Sequence, residues 1–108
     1  MGMQETLDII GKVHEHLMVR DATVDIEKRT FLDTIKLSEE VWELNEQILW
    51  HYGYGRKEKL EKCSSEHLEQ EIADVIFSAM MIAKSLNIDV EKAMSNKLQE
   101  IKRRFEIQ

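Results

Sequence analysis

Two stretches of this chain carry the same arrangement of acids and apolar residues, and that repeat limits how the chain can fold. In Lys36-Leu37-Ser38-Glu39-Glu40-Val41-Trp42-Glu43-Leu44 and in Glu71-Ile72-Ala73-Asp74-Val75, two acids three residues apart are each followed by an aliphatic residue. On a helix turning about 100° per residue, Glu40 and Glu43 share one sector, and Leu37, Val41, Leu44 and Ile48 form an apolar stripe beside it. Glu71 and Asp74 stand at the same angular offset from Leu68, Ile72, Val75, Ala79, Ile82 and Leu86. Two helices packed through these stripes bring both acid pairs to one side of the contact. The expectation is a site of four carboxylates, Glu40, Glu43, Glu71 and Asp74.

The rest of the chain supports helices. It has no proline and four glycines, is poor in runs of β-branched residues, and is rich in Glu, Lys, Leu, Met and Ala, so an all-α fold is expected. A length of 108 residues makes one domain, residues 1–108, folded as one small bundle with little core to spare. A formal charge of −6 without a clustered basic run argues against binding duplex nucleic acid and points to the acids as the working groups. The single cysteine, Cys63, has no internal disulfide partner, which suits a reducing cytoplasm. No apolar run approaches the ~20 residues of a membrane span, and the N-terminus lacks the order of a signal peptide. A cytoplasmic protein with no membrane contact is expected.

Leu7, Ile10, Val13 and Leu17 predict a first helix from Met3 to about Arg20, packed on the outside of the core. Asp21 to Asp25 breaks the pattern. The longest helix is predicted from about Ile26 to Tyr52, with a second apolar stripe made by Phe31, Ile35, Trp42 and Leu49. Two apolar faces imply two packing partners, with Lys36, Glu39, Glu40, Glu43, Gln47 and Trp50 in the sector between them. Gly53-Tyr54-Gly55-Arg56 ends that helix, and a polar loop with at most one helical turn follows. Ser64 or Ser65 caps the next predicted helix, about Glu66 to Leu86, whose middle from Val75 to Ala83 is apolar nearly all round. Such a helix is buried from several sides, within one subunit or at an oligomer interface. Asn87-Ile88-Asp89 reads as a stop and a cap, and the last helix runs from about Val90 to Phe105.

Converging carboxylates repel one another by roughly 3 to 4 kcal/mol per contact at an effective dielectric near ~20, so they take up protons or hold a cation. All-oxygen ligands suit Mg²⁺ or Mn²⁺ over zinc, and Mg²⁺ held by a few carboxylates keeps positions open for water and phosphate oxygens. A di-iron carboxylate bundle needs a Glu-x-x-His motif on two helices. Here the residue three after Glu40 is Glu43, and the residue three after Glu71 is Asp74. His14, His16, His51 and His67 are scattered; His67, one turn before Glu71, reads as a surface or structural histidine. The plain alternative for a Glu-rich helix is a solvated acidic face.

Glu39-Glu40-x-x-Glu43 followed by Glu71-x-x-Asp74 resembles the EExxE and ExxD signature of the all-α nucleoside triphosphate pyrophosphohydrolases, the MazG-like group. KLSEEVWEL, EIADVIFSAMMIAKSLNIDVEKA and the final K-x-x-x-x-x-x-R-F are similar to that family too, over roughly residues 30 to 105. The resemblance implies a four-helix bundle working as a homodimer or homotetramer, with sites near subunit interfaces. It implies Mg²⁺-dependent hydrolysis of a (deoxy)nucleoside triphosphate between the α and β phosphates, giving the monophosphate and pyrophosphate, in nucleotide-pool cleansing. By position, Glu40, Glu43, Glu71 and Asp74 would hold the metal, and Glu39 would add a ligand or orient and deprotonate the attacking water. Lys36, Lys97 and Arg104 are candidates to neutralise the triphosphate, and Trp50 to stack on the base.

Two positions depart from the family pattern. Trp42 stands where a small residue is usual between the acids, and Ile101 stands where an asparagine usually follows four residues after the lysine matching Lys97. The polar contact of that asparagine is lost. Two other readings compete with the general enzyme: a non-catalytic helical oligomerisation or regulatory module with a structural cation, and a pyrophosphohydrolase for a specialised substrate such as phosphoribosyl-ATP.

Overall fold

Local hydrogen bonds set where the helices start. Asp25 accepts from the Lys28 amide, Ser64 from the His67 amide and Asp89 from the Lys92 amide, each satisfying a donor that the first helical turn leaves free. In the computed structural model, which describes residues 1–108, these caps open α2 (Ile26–His51), α4 (Ser65–Ser85) and α5 (Val90–Arg104). The first helix, α1 (Met3–Arg20), starts after Gly2 without a side-chain cap. A single turn, α3 (Lys57–Leu60), occupies the polar loop between α2 and α4. The chain is all-α, and every element lies within two residues of its expected bounds.

The stops share one device. After α2, α4 and α5 the residues Gly53, Asn87 and Glu106 take positive φ, at 85°, 56° and 54°. In each case the amide of that residue and the next one turn back to the helix: Gly53 donates to Trp50 and Tyr54 to Leu49, Asn87 to Lys84 and Ile88 to Ala83, Glu106 to Arg103 and Ile107 to Lys102. This left-handed closure satisfies carbonyls that the last turn leaves open. Gly53 takes that conformation without a Cβ penalty.

The most extensive packing is between α2 and α4, and it is antiparallel. Cys63 Sγ approaches the Gln47 carbonyl, Glu71 meets Glu43 and Glu40, and Asp33 and Lys36 face Phe77, Ser78 and Met81. As the number rises along one helix it falls along the other. The expected pairing of the two acid-bearing helices is therefore present. Helix α1 also packs on α4. The core is small: Ile10, Met80 and Met81 are buried, with Leu7, Val13, Leu17 and Val90 packed around them. The expectation that α1 lies outside the core fails here. Ile10 is 5% exposed, because α4 offers its methionines to α1 on the side that α2 leaves open.

Helix α5 packs extensively on none of the others. Its Val90 reaches the core, and beyond it the helix splays from α4, leaving an apolar groove of about 520 Å³ among Met3, Ile76, Ala79, Ala83, Ala93 and Met94. The second stripe of α2 is uncovered as well: Phe31, Ile35, Trp42 and Leu49 are each more than half exposed. The chain is accordingly open. Its radius of gyration is 17.0 Å, where a compact domain of this length has about 13 Å. Its accessible surface is 8457 Å², where a folded monomer of this mass has about 6,300 Å². No helix is long and apolar enough to cross a membrane.

Candidate metal centre

Helix α2 presents Lys36, Glu40 and Glu43 toward α4, and α4 answers with Glu71. One carboxylate oxygen from each of Glu40, Glu43 and Glu71 lies within 4.8 Å of the other two. Glu40 is 6% exposed, Glu71 half-buried and Glu43 exposed, so the cluster has a closed inner end and an open outer one. Helix period and antiparallel packing account for this. Leu37, Leu44 and Gln47 are half-buried and Glu40 is buried, so the side of α2 turned to α4 runs through Glu40 itself, whereas Val41 and Ile48 of the expected stripe are 39% and 42% exposed.

The donors at this edge do not match the acceptors. Glu40 Oε1 accepts from Lys36 Nζ at 2.9 Å, but Glu40 Oε2 is buried and accepts from nothing. Glu71 Oε2 is also buried without a donor. Gln47 Oε1, one turn beyond Glu43, is a third such oxygen. Buried acceptors in folded proteins normally have partners, and these three oxygens along one contact find none within the chain. Burial first, then Glu43, Glu40 and Asp74 in that order, pushes the Glu71 carboxyl above its usual range. A hydrogen bond with Glu43 pushes the same way.

The other residues singled out in the sequence sit around this group or away from it. Asp74 is exposed, outside the three-residue cluster, yet near enough to act on Glu71. Glu39 is exposed and pairs with Lys36 at 3.6 Å. Trp50 lies two turns beyond Glu43, about 10 Å along the helix. It is packed into the loop: a Cβ on Gly55 would come within 2.6 Å of its ring, and the Lys59 ammonium lies 5.9 Å from the ring centroid. Lys97 and Arg104 are on α5, exposed, and both pair with Glu100. His67 is exposed, donates from Nδ1 to the Lys62 carbonyl and stays out of the cluster.

No family model, curated protein or solved structure matches this chain.

The site is therefore read from its own chemistry. Three carboxylates with two orphaned buried oxygens, one lysine and no nearby imidazole or thiolate make an all-oxygen donor set, which fits a hard divalent cation. Gln47 is the residue that the sequence placed in the acid sector without a role. Its signal was present in the spacing Glu40, Glu43, Gln47, which keeps one helix face, but an amide carries no charge to draw attention to it.

Proposed function

We propose that this chain is a Mg²⁺-dependent nucleoside triphosphate pyrophosphohydrolase of the MazG-like type, yielding a nucleoside monophosphate and pyrophosphate. The observation that carries this reading is the convergence of Glu40, Glu43 and Glu71, from two acidic motifs 31 residues apart, around buried oxygens that lack donors. Glu40, Glu43 and Glu71 hold the cation, with Asp74 at the exposed edge and Mn²⁺ as a substitute. The bound cation supplies Lewis-acid polarisation of a phosphate oxygen and lowers the pKa of a water. Glu39, exposed beside the cluster, orients the attacking water and takes its proton. Lys36, bonded to Glu40, offers its ammonium to the incoming triphosphate and limits repulsion between phosphates and carboxylates.

The working form in this reading is a homo-oligomer in the cytoplasm in which copies complete a helical bundle. The chain exposes about 2,200 Å² more surface than a folded monomer of its mass. Two such chains together carry about 4,400 Å², within the ~2,000 to 5,000 Å² of obligate homodimers. The same uncovered surface favours the second reading, a non-catalytic oligomerisation module. Turnover separates them. Pyrophosphate release from a panel of triphosphates with Mg²⁺, alongside Glu40→Gln, is expected to show activity that the variant loses. A folded protein that binds Mg²⁺ and cleaves none of the panel leaves the module or a pyrophosphohydrolase for a specialised substrate as the answer.

A further inference from the structure

A second opening lies two helical turns from the carboxylates, toward the N-terminal end of α2. Leu17 of α1, Asp33 and Lys36 of α2, and Phe77, Ser78 and Met81 of α4 enclose about 140 Å³. Lys36 belongs to both places, lining this crevice while its ammonium bonds Glu40. Asp33 precedes Glu40 by seven residues, which puts the two on one face of α2 with their backbones about 10 Å apart. A nucleotide with its phosphates at the acids reaches this far with its base.

The crevice walls are of two kinds. Leu17, Met81 and Phe77 are apolar, and Phe77 leaves 42% of its surface open, an aromatic face free for stacking. Opposite them, Asp33 Oδ2 is buried with no donor. Of the basic groups nearest to it, His14 pairs with Ser85 and Lys36 binds Glu40, while Arg29 gives a terminal nitrogen to Asp21 and keeps its buried Nε without an acceptor, so none of the three bonds Asp33 Oδ2. Burial pushes the Asp33 carboxyl up, against the pull of Arg29 and His14. The volume is about half the lower end of the ~300 to 1,000 Å³ of pockets that hold whole ligands, so it takes one ring and not two.

We propose that this crevice receives the base of the bound nucleotide and selects a 4-aminopyrimidine, its amino group donating to Asp33 Oδ2 and its ring lying against Phe77 and Met81. This rests on the pyrophosphohydrolase reading for the phosphate end. A cytosine-type base offers an amino donor where thymine and uracil offer a carbonyl oxygen, which a carboxylate repels. A purine brings a second ring that the volume does not hold.

The test uses binding, so it does not wait on turnover. dCMP, dTMP and dAMP are titrated into the full-length protein with Mg²⁺, following the Met81 methyl and Phe77 ring signals by NMR. dCMP is expected to shift both and to bind at least tenfold tighter than the other two. Asp33→Asn keeps the shape but supplies an amide donor, so the preference for dCMP over dTMP is expected to fall below threefold. Phe77→Leu, which leaves Asp33 intact, is expected to weaken all pyrimidine binding. Equal binding of dAMP, or a dCMP preference unchanged in Asp33→Asn, overturns the assignment. Pyrophosphate release without base preference sinks the crevice and spares the enzyme reading. Crevice binding of dCMP with no cleavage of any triphosphate does the reverse.

Discussion

Lys36 Nζ lies 2.9 Å from Glu40 Oε1, while the other oxygen of the same buried carboxylate, Oε2, has no donor at all. One half of Glu40 is thus satisfied within α2, one turn back along the helix, and the carboxylate also lies in the cluster with Glu43 and Glu71. A lysine at i−4 steadies the carboxylate without filling the site.

Glu40→Gln tests that division. The amide keeps the volume but removes the charge, so Mg²⁺ affinity measured by calorimetry is expected to fall sharply. Pyrophosphate release is expected to drop roughly 100-fold or more, the loss of about 3 kcal/mol of transition-state stabilisation. The metal-free variant is expected to melt no lower than the parent, since one like-charge contact is relieved.

Glu71 makes stability depend on pH. Its folded pKa is raised from 4.5. A group raised on folding contributes stability that is fully present below its unfolded value and is lost as pH rises through its folded value. In EDTA, urea denaturation at increasing pH above 4.5 is therefore expected to show falling stability, and saturating Mg²⁺ is expected to cancel the fall. Glu71→Gln should flatten the metal-free profile. An unchanged profile in that variant would assign the effect to other groups.

Asp21 acts in the opposite sense. Its hydrogen bonds from Arg20 and then Arg29 hold its carboxyl down at about 2, below the usual 3.8. The stability it contributes is present above 3.8 and lost as pH falls through about 2. Asp21→Asn is expected to shorten this acid limb in a pH titration of the melting temperature. It is also expected to lower that temperature at neutral pH, because Arg29, 8% exposed, loses its charged partner.

The uncovered stripe of α2 predicts assembly. Wild-type protein is expected to scatter light as two or more copies. Ile35→Glu or Trp42→Arg, each placing a charge in that stripe, is expected to shift it toward one copy without loss of helix by circular dichroism. A wild-type chain that runs as a single copy, with a scattering radius near 17.0 Å, would remove the assembly from the reading.

Much of this was legible along the chain. Ser64 and Asp89 cap the helices whose starts they mark, and Asn87 stops α4 in a left-handed turn. The acid pairs were legible through their matching offset from the stripes, and Glu40, Glu43 and Glu71 do converge. The second stripe of α2 was read as needing a partner, and within one chain it has none. The burial of Ile10 was missed, since no spacing in α1 says which side of α4 is vacant. Trp50 shares the sector of the acids, but Gly55 and Lys59 hold it in the loop, a contact between segments whose separation no period encodes.

The sequence by itself determined the helices, their caps and the face each acid occupies, because these depend on hydrogen bonds and side-chain spacing within a few residues. Tertiary structure decided the rest. The antiparallel docking of α2 on α4 selected which oxygens of Glu40, Glu71 and Gln47 are buried without donors. It also left Glu39 and Asp74 at the rim. Burial and repulsion depend on distances across the contact, which follow from how two helices rotate and slide against each other as they exclude water.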